Sequence, residues 1–232
     1  MSRRHLFYPS SGTDFRMPIQ MCIRDIDEFW FVDPRYDGGG SDFYPIDTRE
    51  AAQKMQRYLR GFDLVDITQT QLEGHTQKKA PYLVVQNTIH FYSRREERHL
   101  HIHLCGGLGF NAFRSIFDGT GRSLNIFFYQ RDSEGEGGSG FFWLSWRLKS
   151  VLKRISHNGL IISDGSNARE NFRRHRKGET PSPFEYYRWI LTPLHIAEAF
   201  ASPHRRSLPL KSPPKSRPRL MAWRIQNRRL LT

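Results

Sequence analysis

An α/β fold with a mostly parallel sheet, helices on both faces and a basic C-terminal extension is predicted by three features of this 232-residue chain. Short apolar runs stop at glycine or an acid, as strands do when their carboxyl ends meet a ligand edge. Apolar residues at helical spacing lie between those runs. Finally, 14 of the 36 Lys and Arg but only 3 of the 23 Asp and Glu fall in residues 171–232.

The first run, Leu6-Phe7-Tyr8, reads as a strand and is followed by the turn Pro9-Ser10-Ser11-Gly12-Thr13-Asp14. A helix is expected next, leading to a second strand, Phe29-Trp30-Phe31-Val32, which stops on Asp33. In a parallel α/β unit the turn after the first strand needs glycine so that backbone can approach a ligand. An acid about 20 residues on can then accept both hydroxyl hydrogens of a ribose. Gly12 and Asp33 stand 21 positions apart, although dinucleotide folds use three glycines where one is present here. A plain strand-turn-strand with an incidental acid is the alternative.

Thr48 to Arg60 carries Ala51, Met55 and Leu59 on one stripe and predicts a helix ended by Gly61. Leu64 to Gln69 is a strand. Residues 82–93 and 98–105 alternate in type about the charged turn Ser93 to Glu97 and read as an antiparallel pair or neighbouring strands. Leu124 to Tyr129 is a nearly continuous apolar strand of the doubly buried kind. Leu144, Leu148, Val151, Leu152 and Ile155 predict a helix, stopped by His157-Asn158-Gly159 ahead of the strand Leu160-Ile161-Ile162. Residues 1–170 are therefore expected to form one Rossmann-like domain. Residues 171–201 are expected to form a helical appendage in which Pro193 kinks or divides a helix from Phe184 to Ala201. Residues 202–232, with five prolines, nine Lys or Arg and no acid, read as a disordered tail.

Chemistry concentrates in two places. The loop Gln130 to Gly140 brings Asp132, Glu134 and Glu136 together among glycines, as bases, metal ligands or acceptors for an amine, and its charge argues against cradling phosphate. His99, His101 and His103 alternate along one strand, so their imidazoles share a face with Cys105, and with His90 and Tyr92 beside them. Imidazoles about 7 Å apart on one strand rarely close a tetrahedron, so no metal site is expected and a polar sheet face is the ordinary account.

Two cysteines, Cys22 and Cys105, without a CxxC pair point to a reducing, cytoplasmic setting. No apolar run is long enough to cross a bilayer, so no membrane partner is expected. The basic tail offers nucleic acid sequence-independent affinity through counterion release, with a merely solvated extension as the alternative.

The run LSWRLKSVLKRISHNGLIISD, taken with YPSSGTD and FWFVDP, resembles class I S-adenosylmethionine-dependent methyltransferases. That resemblance implies S-adenosylmethionine as cofactor, with Gly12, Thr13 and Asp14 at its methionine end, Asp33 on its ribose and Asp132 near the methyl group. The turn has one glycine where that family has two or three, and no NPPY-like motif follows the fourth strand. YPSSGTD and FFYQRDSEGEGGS are also similar to uncharacterised bacterial proteins, a likeness that implies no activity. A small-molecule cofactor and an acceptor held by Asp132, Glu134 and Glu136 make group transfer the leading expectation. A non-catalytic nucleic-acid-associated protein and a metal-dependent nuclease or phosphotransferase are the alternatives.

Overall fold

The computed structural model describes residues 3–37, 44–75, 81–130, 143, 147–163, 191–194 and 221–225. The chain divides into two compact units, Met1–Phe128 and Tyr129–Thr232.

In the first unit, β1 (His5–Pro9) leads through α1 (Arg16–Cys22) to β2 (Glu28–Val32), then through a 3-10 turn (Pro34–Asp37) and α2 (Thr48–Gln56) to the strands β3 (Asp63–His75), β4 (Pro81–Ser93) and β5 (Arg98–Cys105). Helix α3 (Gly109–Phe113) runs into a π-helical turn (Arg114–Asp118), and β6 (Leu124–Tyr129) follows. The strand order is β3-β4-β5-β2-β1-β6. Strand β1 pairs in parallel with β2 and β6, and β2 in parallel with β5. The β3–β4 and β4–β5 pairs are antiparallel. The sheet is thus α/β but mixed: the parallel block β5-β2-β1-β6 carries an antiparallel hairpin on one side, where a mostly parallel sheet is expected from sequence.

Both faces of the parallel block are covered, which is why every residue of β1 and β2 is buried. Residues paired across strands point the same way, so Phe7 and Trp30 share one face while Tyr8 and Phe31 share the other. On the first face Phe113 and Phe117 pack edge-on against Phe7 with centroids at 5.2 and 5.6 Å. On the second, Phe15, just ahead of α1, meets Phe31 at 5.2 Å. Asp47 starts α2 by accepting the Glu50 N–H at 2.8 Å. That helix ends at Gln56, a turn short of the expected Arg60.

In the second unit, α4 (Leu148–Arg154) precedes β7 (Ile155–Ser163), and β8 (Leu191–Leu194) and β9 (Met221–Ile225) follow. Strand β9 pairs antiparallel with both β7 and β8. Three expectations need correction here. His157-Asn158-Gly159 does not end a helix: the three residues lie inside β7, where Asn158 takes φ of +63°. Residues 191–194 of the expected helical appendage are extended, because Pro193 sits in a short outer strand beside Trp223, where a missing N–H is tolerated. Residues 221–225 of the expected disordered tail form a strand, of which Met221 to Arg224 pair with Leu160 to Ser163.

Candidate functional site

Because β1, β2, β5 and β6 are parallel, their carboxyl ends form one edge. The chain leaves β1 for β2 on one side and β6 lies on the other, so the order reverses at β1. Ligands of open α/β sheets bind outside the carboxyl ends at such a reversal. The turn Ser10 to Asp14 and the acid Asp33 both belong to this edge.

The structure joins them directly. Gly12 donates its N–H to Asp33 Oδ2 at 2.9 Å, and Ser11 donates its N–H to the Val32 carbonyl at 3.2 Å. Ser10 and Gly12 take φ of +55° and +50°, the left-handed conformation that lets the turn fold back onto β2. Tyr36, in the 3-10 turn, donates its hydroxyl hydrogen to the Gly12 carbonyl, so the Ser11 hydroxyl is the donor in its 2.9 Å contact with Tyr36. Burial pushes the Tyr36 hydroxyl well above its ordinary pKa, and it stays a donor. Thr13 is exposed and accepts from Lys54 Nζ of α2 at 3.4 Å. Asp14 accepts the Tyr8 hydroxyl at 3.3 Å and donates its N–H to the Ser11 carbonyl.

Asp33 is not presented as a bare carboxylate. Arg35 donates its backbone N–H (3.1 Å) and Nε (2.8 Å) to Oδ1, and Nη2 (3.3 Å) to Oδ2. With Gly12 this makes four donors, which fill the roughly four acceptor positions of a carboxylate. Two ribose hydroxyls find no free lone pair there. The hydrogen bonds to Asp33 raise the pKa of Arg35. A Cβ on Gly12 would stand 2.4 Å from Arg35 Nη2, so the space that a turn glycine opens holds this guanidinium. Arg35, Tyr36 and Lys54 escape a search for glycine turns and strand-end acids. The available signal was an arginine two residues beyond the acid, within fork reach of it.

Asp132, Glu134 and Glu136 lie outside the described residues, and so do most residues of 171–232. Gly12, Thr13, Asp14 and Asp33 share one edge as expected from sequence.

The histidine face stands away from this edge, reaching the amino ends of the parallel strands. His99, His101 and His103 of β5 do share a face with His90 and Tyr92 of β4, through the pairs His90–His101 and Tyr92–His99. His90 lies between His99 and His101, with ring centroids at 5.0 and 4.7 Å, and the His90 Nε2 to His99 Nδ1 distance is 2.8 Å. His103 stacks on Trp30 at 3.8 Å. Buried Glu28 closes the row, bonded to Arg3 at 2.6 Å and to His5 at 3.1 Å. Burial pushes the Glu28 pKa up, but His103 at 3.8 Å, with His5 and Arg3 closer in, outweighs it and holds the carboxyl well below the usual range. Burial, with help from Arg3, His90 and His103, pulls His101 down to about 4. Burial also lowers His103. Among the described residues no group of three or more His, Cys, Asp or Glu is placed to hold a metal ion. Cys105 is buried and its thiol is pushed up by that burial, which leaves it inert. No described helix is long and apolar enough to cross a membrane.

Comparison with protein-family models, with curated proteins and with solved structures finds no match for this chain.

Proposed function

We propose that the chain is a Rossmann-like protein that binds a nucleotide cofactor at the carboxyl edge of β1, β2 and β6 and uses it for group transfer. The observation that supports this reading is the bond from the Gly12 N–H to Asp33, which ties the turn after the first strand to the acid ending the second beside a reversal of strand order. In this reading Gly12, Thr13 and Asp14 form the wall against which the cofactor lies, and Asp132, Glu134 and Glu136 serve the acceptor. Asp33 acts through the turn and Arg35. Its substitution disturbs ligand binding by loosening the wall. The sequence resemblance supplies S-adenosylmethionine as the first cofactor to try.

A thermal-shift screen of the whole chain with S-adenosylmethionine, NAD, NADP and coenzyme A tests the reading. A cofactor that binds only the folded state adds about 2.7 kcal/mol at a hundredfold excess over Kd, enough to move Tm by several degrees. The expected result is a shift with at least one of these ligands that is weakened in Gly12→Ala. Unchanged melting with all of them contradicts the proposal.

A further inference from the structure

We infer that Arg35 reads the cofactor at this edge and that the ligand it admits carries a phosphate on its ribose. The inference rests on the nucleotide reading above and narrows the class of cofactor, setting ribose-phosphate ligands ahead of S-adenosylmethionine, whose ribose is a bare diol. A bare ribose diol is recognised by an acid with lone pairs to spare, and Asp33 has spent its own on Gly12 and on the Arg35 fork. To admit a diol, the ion pair would have to break, leaving a charged guanidinium and a largely buried carboxylate to find other partners. What the edge offers instead is cationic. Arg35 is 31% exposed along its side chain, and among the described residues its Nη1 has no partner. Lys54 reaches the next residue of the same turn from α2.

A guanidinium already oriented by a carboxylate on one side presents its remaining N–H groups in a plane that suits phosphate oxygens. Gly12 is what allows this placement, since any side chain there would displace Nη2. The same position, beside the tip of the second strand, is where a nearby arginine accommodates a ribose phosphate in dinucleotide-binding sheets. A phosphate bound here leaves the Asp33–Arg35 pair intact, whereas a diol competes with it.

Calorimetry on the full chain with two matched pairs, NADP against NAD and coenzyme A against its dephospho form, tests this and separates a 2′-phosphate from a 3′-phosphate. S-adenosylmethionine serves as a further diol ligand. In one pair or the other, the phosphorylated member should bind about tenfold tighter or better, the size expected for one or two charge-assisted bonds. Arg35→Gln should bring that ratio close to one. Lys54→Gln changes a half-exposed helix residue, so it keeps the test open where Arg35→Gln fails to fold; it should lower the ratio by a few-fold with Tm of the free protein unchanged. Equal binding within both pairs overturns the inference while leaving the nucleotide reading standing. So does S-adenosylmethionine or NAD binding as tightly as the phosphorylated ligands, or a gain in diol affinity in Arg35→Gln. Absence of binding by every ligand removes the nucleotide reading and this inference with it.

Discussion

Replacing Gly12 with alanine should cost about 2–4 kcal/mol, in two separable parts. The first is conformational: at φ of +50° an L-residue is disfavoured by about 1–2 kcal/mol. The second comes from Arg35, whose Nη2 lies 2.4 Å from the new methyl. The guanidinium is the far end of a flexible side chain, so it swings aside and the clash itself is cheap. Swinging gives up the 3.3 Å bond to Asp33 Oδ2 and disturbs the 2.8 Å bond from Nε, a loss of about 1–2 kcal/mol for partly exposed charged partners. Urea denaturation of the wild type, Gly12→Ala, Arg35→Gln and the double variant forms the cycle. In the Arg35→Gln background the alanine should cost only its conformational part, giving a coupling of about 1–2 kcal/mol with unchanged m values. Costs that add to within about 0.5 kcal/mol would refute the claim that the glycine makes room for this guanidinium.

Three further outcomes follow from the packing and the charges. His101 has a folded pKa near 4 against 6.5 for a free imidazole, so the unfolded chain binds more protons between these values. Stability is then fully present above about pH 6.5 and falls toward pH 4, by about 1 kcal/mol once screening at the half-exposed ring is allowed for, and His101→Gln should flatten Tm over that window. The Glu28 pKa is lowered too and acts in the same sense on stability, because its depressed carboxyl loses its contribution only as pH drops below the usual value of 4.5. Phe7→Ala should destabilise by about 3–5 kcal/mol in denaturant, since the ring is fully buried against Phe113, Phe117 and Phe127. Asp47→Ala removes the cap on the Glu50 N–H and should cost about 1 kcal/mol, with Asp47→Asn retaining most of it.

Much of the first unit was legible because burial writes itself into residue type. Buried β1, β2 and β6 each hold a run of three or more consecutive apolar residues, and the β4–β5 hairpin shows its alternation and its charged turn. Parallel against antiparallel pairing beyond β5 was not legible, since a half-buried alternating strand looks the same in either setting. The elements α3 and the π-helical turn left no clear signal: Phe113 and Phe117 lie four apart, but glycines bracket the segment. Strand β8 was hidden by Pro193, which an outer strand tolerates, and β9, lying between β7 and β8, by the prolines and arginines of the sequence around it, which a disordered tail also favours. At the site, spacing alone placed Gly12 and Asp33 at one sheet edge, but not the direct bond between them. The pairing of Asp33 with Arg35 did not, because two residues apart on an unseen turn an acid and an arginine are equally placed to face each other or to diverge.

Backbone amide shifts of the labelled chain, followed as NADP is added, test most directly whether the carboxyl edge is the ligand site. Saturable changes are expected at Ser10 to Asp14, at Arg35 and Tyr36 and at Lys54, with His99 and His101 unmoved. Changes confined to the histidine face, with the Gly12 and Arg35 amides unaffected at saturation, would contradict it.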